Sequence, residues 1–387
     1  MWRAVEARLP AAVELRRELH AAPRLGGAEE PVAARLAELI GQPDAESVDG
    51  GRLLRIGDTA GPAIAVRAEL DALPITEQTG VPWACTTGAM HACGHDVHLA
   101  ALTAVAQAAR DGDLPVPMLA TLQPREETYP CGAVDVLASP AWAAHDVAAV
   151  VGVHLQPQLP AGQVSLVPGP VNAAADEFTV TVTGAGAHAA YPHLGRDPVV
   201  AMAAVVTALQ HLVSRRTDPM DAAVLTIGRI NGGQAANVIP SAVQIGGTLR
   251  SFDVEHRAAM VAAIESTAAL VARAHDCVAV TEVSAGEPVL HNDPGLVEQI
   301  APRLADAGFT HGRALRSCGA DDFSYYCERH SAVMVFVGVG DAAADSPGLH
   351  HPSFLPPDGS VADVARAMVA GYLGACAASP TGEESAP

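Results

Sequence analysis

Nine consecutive residues, Met90-His91-Ala92-Cys93-Gly94-His95-Asp96-Val97-His98, hold three imidazoles, a thiol and a carboxylate. Neutral imidazole, thiolate and carboxylate are the side chains that bind Zn²⁺-like ions. Cys93 and His95 stand two apart, just before an Ala-rich run that reads as a helix. At such a junction both can turn toward one ion, and metal charge and the helix dipole favour the thiolate. An isolated pair of this kind is more often a buried cysteine and a capping histidine. Five ligand-type residues in one stretch reverse that balance.

Ligand-type residues recur where strands are expected to end. Gln123-Pro124-Arg125-Glu126-Glu127 follows the apolar run 117–122. Adjacent carboxylates there can divide two tasks, one binding metal and its neighbour taking a proton from metal-bound water. Alone, such a pair is usually a solvated helix start. His154 closes the run 148–153, at the kind of edge where open α/β sheets place ligands. His350 and His351 lie near the C-terminus in Gly348-Leu349-His350-His351-Pro352. The stretch Gly184 to His193 contains a Gly-x-Gly-x-x-Ala pattern, but Pro192 interrupts the helix that dinucleotide binding would need. Asn237 and Arg250 place an amide and a guanidinium near strand ends, which suits a carboxylate ligand; turn chemistry and a surface arginine are the plainer reading.

The elements that must position these residues read as follows. Residues 3–22 have the spacing of an amphipathic helix ended by Pro23, and a second helix covers 32–40. Strands are expected at 53–56, 63–68, 117–122 and 148–153, with a helix from about 97 to 110. This alternation predicts an α/β domain with helices on both faces of a mixed sheet. After the Pro- and Gly-rich stretch 156–170 the order becomes β-α-β-β-α-β, the pattern of a small ferredoxin-like α+β domain. The α/β character returns after Glu287. The expected organisation is one α/β domain, 1–174 with 287–378, interrupted by an insert at 175–286, and a loose tail at 379–387.

Composition narrows the partners. The formal net charge is −20 with no basic tract, which argues against nucleic acid and anionic membranes. Every basic residue is Arg, so a lysine Schiff base and a Walker-type phosphate loop are excluded. Seven scattered cysteines do not form a disulfide framework and fit a reducing cytoplasm. The N-terminus has no signal-peptide core, and no run reads as a membrane span.

Together these segments resemble the M20 family of metal-dependent amidohydrolases and peptidases, in the branch of hippurate hydrolases, N-acyl-amino-acid amidohydrolases and auxin-conjugate hydrolases. The matching stretches are His20 to Pro23, Arg67 to Ile75, Met90 to His98, Gln123 to Glu127, Gly184 to His193, Asn237 to Pro240, Asp322 to Ser324 and Leu349-His350. The resemblance implies a zinc-exopeptidase-like catalytic domain and an inserted lid that dimerises. It implies two divalent metal ions per subunit, zinc first, with manganese, cobalt or nickel as alternatives. Their ligands would be Cys93, His95, Glu127, His154 and His350, with Cys93 bridging. Glu126 would be the general base, Asp71 a carboxylate that orients a ligand, and His188 the donor to the tetrahedral oxyanion. Asn237 and Arg250 would contact the substrate carboxylate. The implied reaction is hydrolysis of an N-acyl-amino acid to a carboxylic acid and a free amino acid in a cytoplasmic homodimer. A dipeptidase or carboxypeptidase on the same scaffold, or a non-catalytic metal-binding homologue, are the other readings. Four places depart from the family's pattern: Glu69 where Asp is usual, Asp321 where Glu is usual, Arg125 in place of a small residue, and Thr128 to Cys131 in place of a Gly-rich run.

Overall fold

The computed structural model describes residues 1–57, 61–340 and 347–378; the tail expected at 379–387 lies outside the described residues. The chain divides into two compact units, Met1–Gly169 with His291–Leu315 and Tyr325–Pro387, and Pro170–Leu290 with Arg316–Ser324.

The first unit begins with two helices, α1 (Trp2–Glu6) and α2 (Leu9–Ala21), where the sequence suggested one. The break has a physical cause. Pro10 occupies the first turn of α2, where its missing N–H costs nothing; in a continuous helix its ring would strike the carbonyl of Glu6. Next come α3 (Glu30–Ile40), β1 (Glu46–Val48), β2 (Gly51–Ile56), β3 (Ala63–Glu69), α4 (His95–Arg110), β4 (Met118–Gln123), α5 (Gly132–Ala138), β5 (Val147–Pro160) and β6 (Gln163–Ser165). These strands join Ser331–Gly340 and Thr310–His311 in one eight-stranded sheet, ordered β1-β2-β4-β3-β5, then 331–340, β6 and 310–311. β3 runs parallel to both β4 and β5, whereas β2 is antiparallel to β4, so the sheet is mixed.

Alternation sets the chemistry of the two sheet faces. Ile64, Val66 and Ala68 of β3, with Met118, Ala120 and Leu122 of β4, enter the main core alongside α2, α3, α4 and the helix Gly359–Ala378. The intervening Arg67, Thr121 and Gln123 are equally buried, and Arg67 Nε donates to Gln123 Oε1 at 3.0 Å. All seven residues of β3 are buried, as a central strand covered on both faces requires.

Two further expectations are corrected. β5 does not stop at Val153 but runs on to Pro160, so His154 sits inside a strand. Pairing with β3 ends at Arg67↔Gly152, while pairing with Ser331–Gly340 continues through His154↔Phe336. His154 therefore lies just past the point where one edge of β5 loses its partner. In addition, the helices Gly359–Ala378 and Pro198–Arg216 are long and apolar enough to cross a membrane by composition. The first is mostly buried in the core of its unit, and the second lays Ala201, Met202, Val205, Leu209 and Leu212 on the core of the other unit.

That other unit carries a four-stranded antiparallel sheet in the order 223–232, 242–251, 174–183, 278–285, covered by the helices Pro198–His211 and Val254–Ala274. Connectivity β-α-β-β-α-β with this order is the ferredoxin-like arrangement. Arg316–Ser324 joins it through Ser317, whose N–H donates to Val171 O at 2.9 Å and whose carbonyl accepts from Ala173 N at 3.0 Å.

Ile64, fully buried between Met118 and Ala149 in register, measures the sheet's share of stability. Ile64→Ala is expected to cost about 2–5 kcal/mol, read as a lower urea midpoint; an unchanged midpoint would mean the site collapses around the deletion.

Candidate metal centre

Four segments of the first unit deliver the ligand-type residues. Gly94, at φ +86°, turns the chain into α4 between Cys93 and His95. The positive φ at residue 94 favours glycine, and a Cβ there would also push against Leu155 Cδ1 at 2.6 Å. The chain leaving β4 passes through Arg125, at φ +50°, before Glu126 and Glu127. β5 supplies His154. His350, at φ +62°, donates its N–H to Ala92 O at 2.9 Å and so ties the C-terminal loop to the His91–His98 stretch.

The side chains converge. Cys93 Sγ stands 3.4 Å from His154 Nε2, His95 Nε2 is 3.7 Å from Glu126 Oε2, and His350 Nε2 is 3.1 Å from Glu127 Oε1. Ligand atoms of Cys93, His95 and His154 lie within 4.8 Å of one another, as do those of Cys93, Glu127 and His350. Two overlapping groups that share a thiol are what a pair of bridged cations would use. His351 is not in either group; its Nδ1 accepts from Ser353 N at 3.1 Å.

The hydrogen bonds leave the lone pairs where a cation needs them. His95 Nδ1 faces Asp71 O at 2.8 Å and His154 Nδ1 faces Leu155 O at 2.7 Å. A carbonyl accepts only, so each ring carries its proton on Nδ1 and turns a bare Nε2 inward. His95 Nε2 is buried with no hydrogen-bond partner among the described residues, a costly state unless something binds there. The charge balance points the same way. Burial, and then the carboxylates of Glu127, Glu126 and Glu69, push the Cys93 thiol well above its ordinary pKa. Burial opposes a protonated His95, but Glu69, Asp71 and Glu127 outweigh it and raise that pKa. A divalent cation inverts both effects, since it stabilises thiolate and carboxylate and needs neutral imidazole. The residues present therefore fit the metal ions.

Asp71 is buried beside the cluster, where its Oδ2 accepts from Glu127 N at 2.9 Å and its Oδ1 lies 3.7 Å from His95 Nδ1. His98 and Asp96, both in the nine-residue stretch, are supports, and their partners come from elsewhere in the chain. His98 Nδ1 donates to Glu69 Oε2 at 2.9 Å while its Nε2 accepts from Leu155 N at 3.2 Å, linking the end of β3 to the residue after His154. Asp96 accepts from Arg16 Nε at 2.7 Å and lies 3.0 Å from His20 Nδ1, with Arg16 stacked 4.6 Å over Trp83. Charged residues inside an otherwise apolar strand or helix face, Arg67, Glu69 and Arg16, were the available signal.

His188, Asn237 and Arg250 belong to the second unit. His188 pairs with Val238 in a short two-stranded ladder, and Ala189 N donates to Asn237 O at 3.0 Å, so His188 and Asn237 are neighbours. Arg250 lies on the separate four-stranded sheet, opposite Val224 and Ala175.

Known proteins are similar to this chain over most of its length. The profile of peptidase family M20/M25/M40 matches residues 65–371. An N-acetyl-L-cysteine deacetylase of Bacillus subtilis is 36% identical over 88% of this chain and 82% of its own length. An N-acetyldiaminopimelate deacetylase of Geobacillus thermodenitrificans is 34% identical over 93% of this chain and 96% of its own. Among solved structures, a dinuclear metal-binding M20 peptidase of Bacillus subtilis superposes with a TM-score of 0.82 at 28% identity, covering 96% of this chain and 98% of that one.

The two C-terminal histidines separate by experiment. His350→Ala is expected to lower bound metal per chain and His351→Ala to leave it unchanged, measured by elemental analysis after dialysis; the reverse result would reassign the ligand.

Proposed function

Because the chain belongs to peptidase family M20/M25/M40, we propose that it is a metal-dependent amidohydrolase that cleaves N-acyl-amino acids to a carboxylic acid and a free amino acid. The observation that carries this reading is the pair of overlapping ligand groups sharing Cys93, with the adjacent carboxylate Glu126 at 3.7 Å from His95. Cys93, His95, Glu127, His154 and His350 would hold two divalent cations. Zinc suits a thiolate–imidazole–carboxylate set, and manganese, cobalt or nickel accept the same donors. When bound, such ions polarise the scissile carbonyl and lower the pKa of the attacking water toward ~7.

The chain's own residues do the rest. Glu126 takes the proton of the water and passes it to the leaving amine. Asp71 fixes Glu127 through its backbone N–H and faces His95 across the ring's protonated side. His188 Nδ1 accepts from Ala190 N at 3.0 Å, which leaves Nε2–H as a donor suited to a developing oxyanion. Asn237 and Arg250 supply an amide and a guanidinium for the substrate carboxylate. The similar deacetylases act on N-acetylated amino acids, which favours a short acyl group here as well.

We read the first unit as the catalytic domain and the second as a lid through which two copies associate. The strand Ala223–Gly232 is an edge of its sheet and leaves Ile230 60% exposed, a surface that favours pairing. Seven cysteines with no disulfide among the described residues suit a reducing cytoplasm.

Glu126→Gln tests the mechanism. Turnover of an N-acetyl amino acid is expected to fall roughly 10²–10⁴-fold with both metals retained; near-normal turnover would remove Glu126 from its role. Absence of amine release from every N-acyl-amino acid offered to the Zn²⁺- or Mn²⁺-loaded protein would overturn the activity itself. Ile230→Glu is expected to shift the protein toward monomer in light scattering, and an unchanged mass would place the dimer contact elsewhere.

A further inference from the structure

Glu126 and Glu127 stand in a stretch, residues 124–131, that is neither helix nor strand. No regular ladder fixes its backbone, so the placement of both carboxylates depends on individual bonds. Three are present. Arg125 N donates to Glu29 Oε1 at 2.9 Å, Glu127 N donates to Asp71 Oδ2 at 2.9 Å, and Gly132 N donates to Arg125 O at 2.9 Å. Residue 132 must also be glycine, because a Cβ there would lie 1.8 Å from Pro124 O.

Arg125 is the weak point of this segment. Its φ of +50° is left-handed, a conformation that residues with a Cβ seldom adopt without outside support. Its guanidinium pairs with Asp49 and Asp135 and does not supply that support at the backbone. Glu29 does. It is 1% exposed, and burying a carboxylate is unfavourable unless hydrogen bonds compensate. Its own backbone is anchored, since Glu29 O accepts from Val32 N at 2.8 Å and Ala33 N at 3.0 Å in the first turn of α3. The buried face of α3, Ala33, Leu36, Ala37 and Ile40, carries that anchor into the main core.

We propose that Glu29 is a positioning residue: by accepting the Arg125 amide it holds residue 125 left-handed and so sets where Glu126 and Glu127 stand. The proposal rests on the reading of Glu126 as base and Glu127 as metal ligand. A buried acid that merely starts α3 would stabilise the fold without touching the site.

The variants Glu29→Ala, Glu29→Gln and Glu29→Ala with Arg125→Gly separate these roles, with kcat, KM, metal affinity and the exchange rate of the Arg125 amide as readouts. Glu29→Ala is expected to lower kcat about ten- to hundredfold and to weaken metal binding with KM unchanged. Glu29→Gln keeps an acceptor oxygen and is expected to recover most of both losses. Glycine at 125 takes positive φ without a Cβ penalty, so the double variant should regain kcat over Glu29→Ala. Lower thermal stability with kcat and metal affinity intact, or no recovery by glutamine or glycine, would overturn the proposal. Should Glu29→Ala fail to fold, the Arg125 amide of the unaltered protein decides: slow exchange is expected, and exchange as fast as an open loop overturns it. If the unaltered protein hydrolyses no N-acyl-amino acid, the proposed activity falls, while metal affinity and amide exchange still judge Glu29.

Discussion

Collecting a thiol and several carboxylates in one buried place is electrostatically unfavourable unless positive charge joins them. Glu69, Asp71, Cys93 and Glu127 lie at or near that place in the first unit. Arg67 neutralises Glu69, and Arg16 neutralises Asp96 at the start of α4. No guanidinium pairs with Cys93, His95 or Glu127 among the described residues. In a chain without lysine bound cations would supply the remaining charge, and the inward lone pairs of His95 and His154 are consistent with that. Removing bound metal should therefore cost the first unit stability as well as chemistry.

This constraint explains how the surroundings are built. The three imidazoles proposed as ligands are each held from behind by something that cannot itself bind metal at that point: a carbonyl behind His95, a carbonyl behind His154, a backbone bond from His350 to Ala92. Asp71 touches two of the proposed ligands and Glu69 reaches a third segment through His98. Such backing fixes tautomer and direction, the two properties on which imidazole coordination depends.

The fold and the local part of the site were legible because they are short-range. The Cys93-Gly94-His95 turn and the Glu126–Glu127 pair are contiguous, and period-two runs marked the sheet. What the sequence left open is long-range or competitive. The fold brings His350 to 3.1 Å from Glu127, more than two hundred residues away, a contact that no local reading of His350-His351 contains. The clamp of Glu29 on Arg125 joins a helix start to a loop with no shared motif. His154 looked like a strand end because a polar residue broke an apolar run; the strand continues because a neighbour on one side still pairs with it. Pro10 was read inside one helix although its position in a first turn explains two.

The departures from the family's pattern can now be weighed by where they point. Glu69 bonds Arg67 and His98, so its longer side chain spans to both from the end of β3. Arg125 turns its charge to Asp49 and Asp135, two acids that are nearly half exposed, while its backbone alone contributes to the loop. Thr128 packs against Gly26, where an added Cβ would come within 2.7 Å of its hydroxyl. Tyr129 is 66% exposed, so its ring is not filling a closed pocket in this unit. Arg125, Thr128 and Tyr129 belong to a loop that still presents Glu126 to His95 and Glu127 to His350. The loop can vary in composition because its inner geometry is set by Glu29 and Asp71 through the backbone, and a backbone amide is the same whichever side chain it carries.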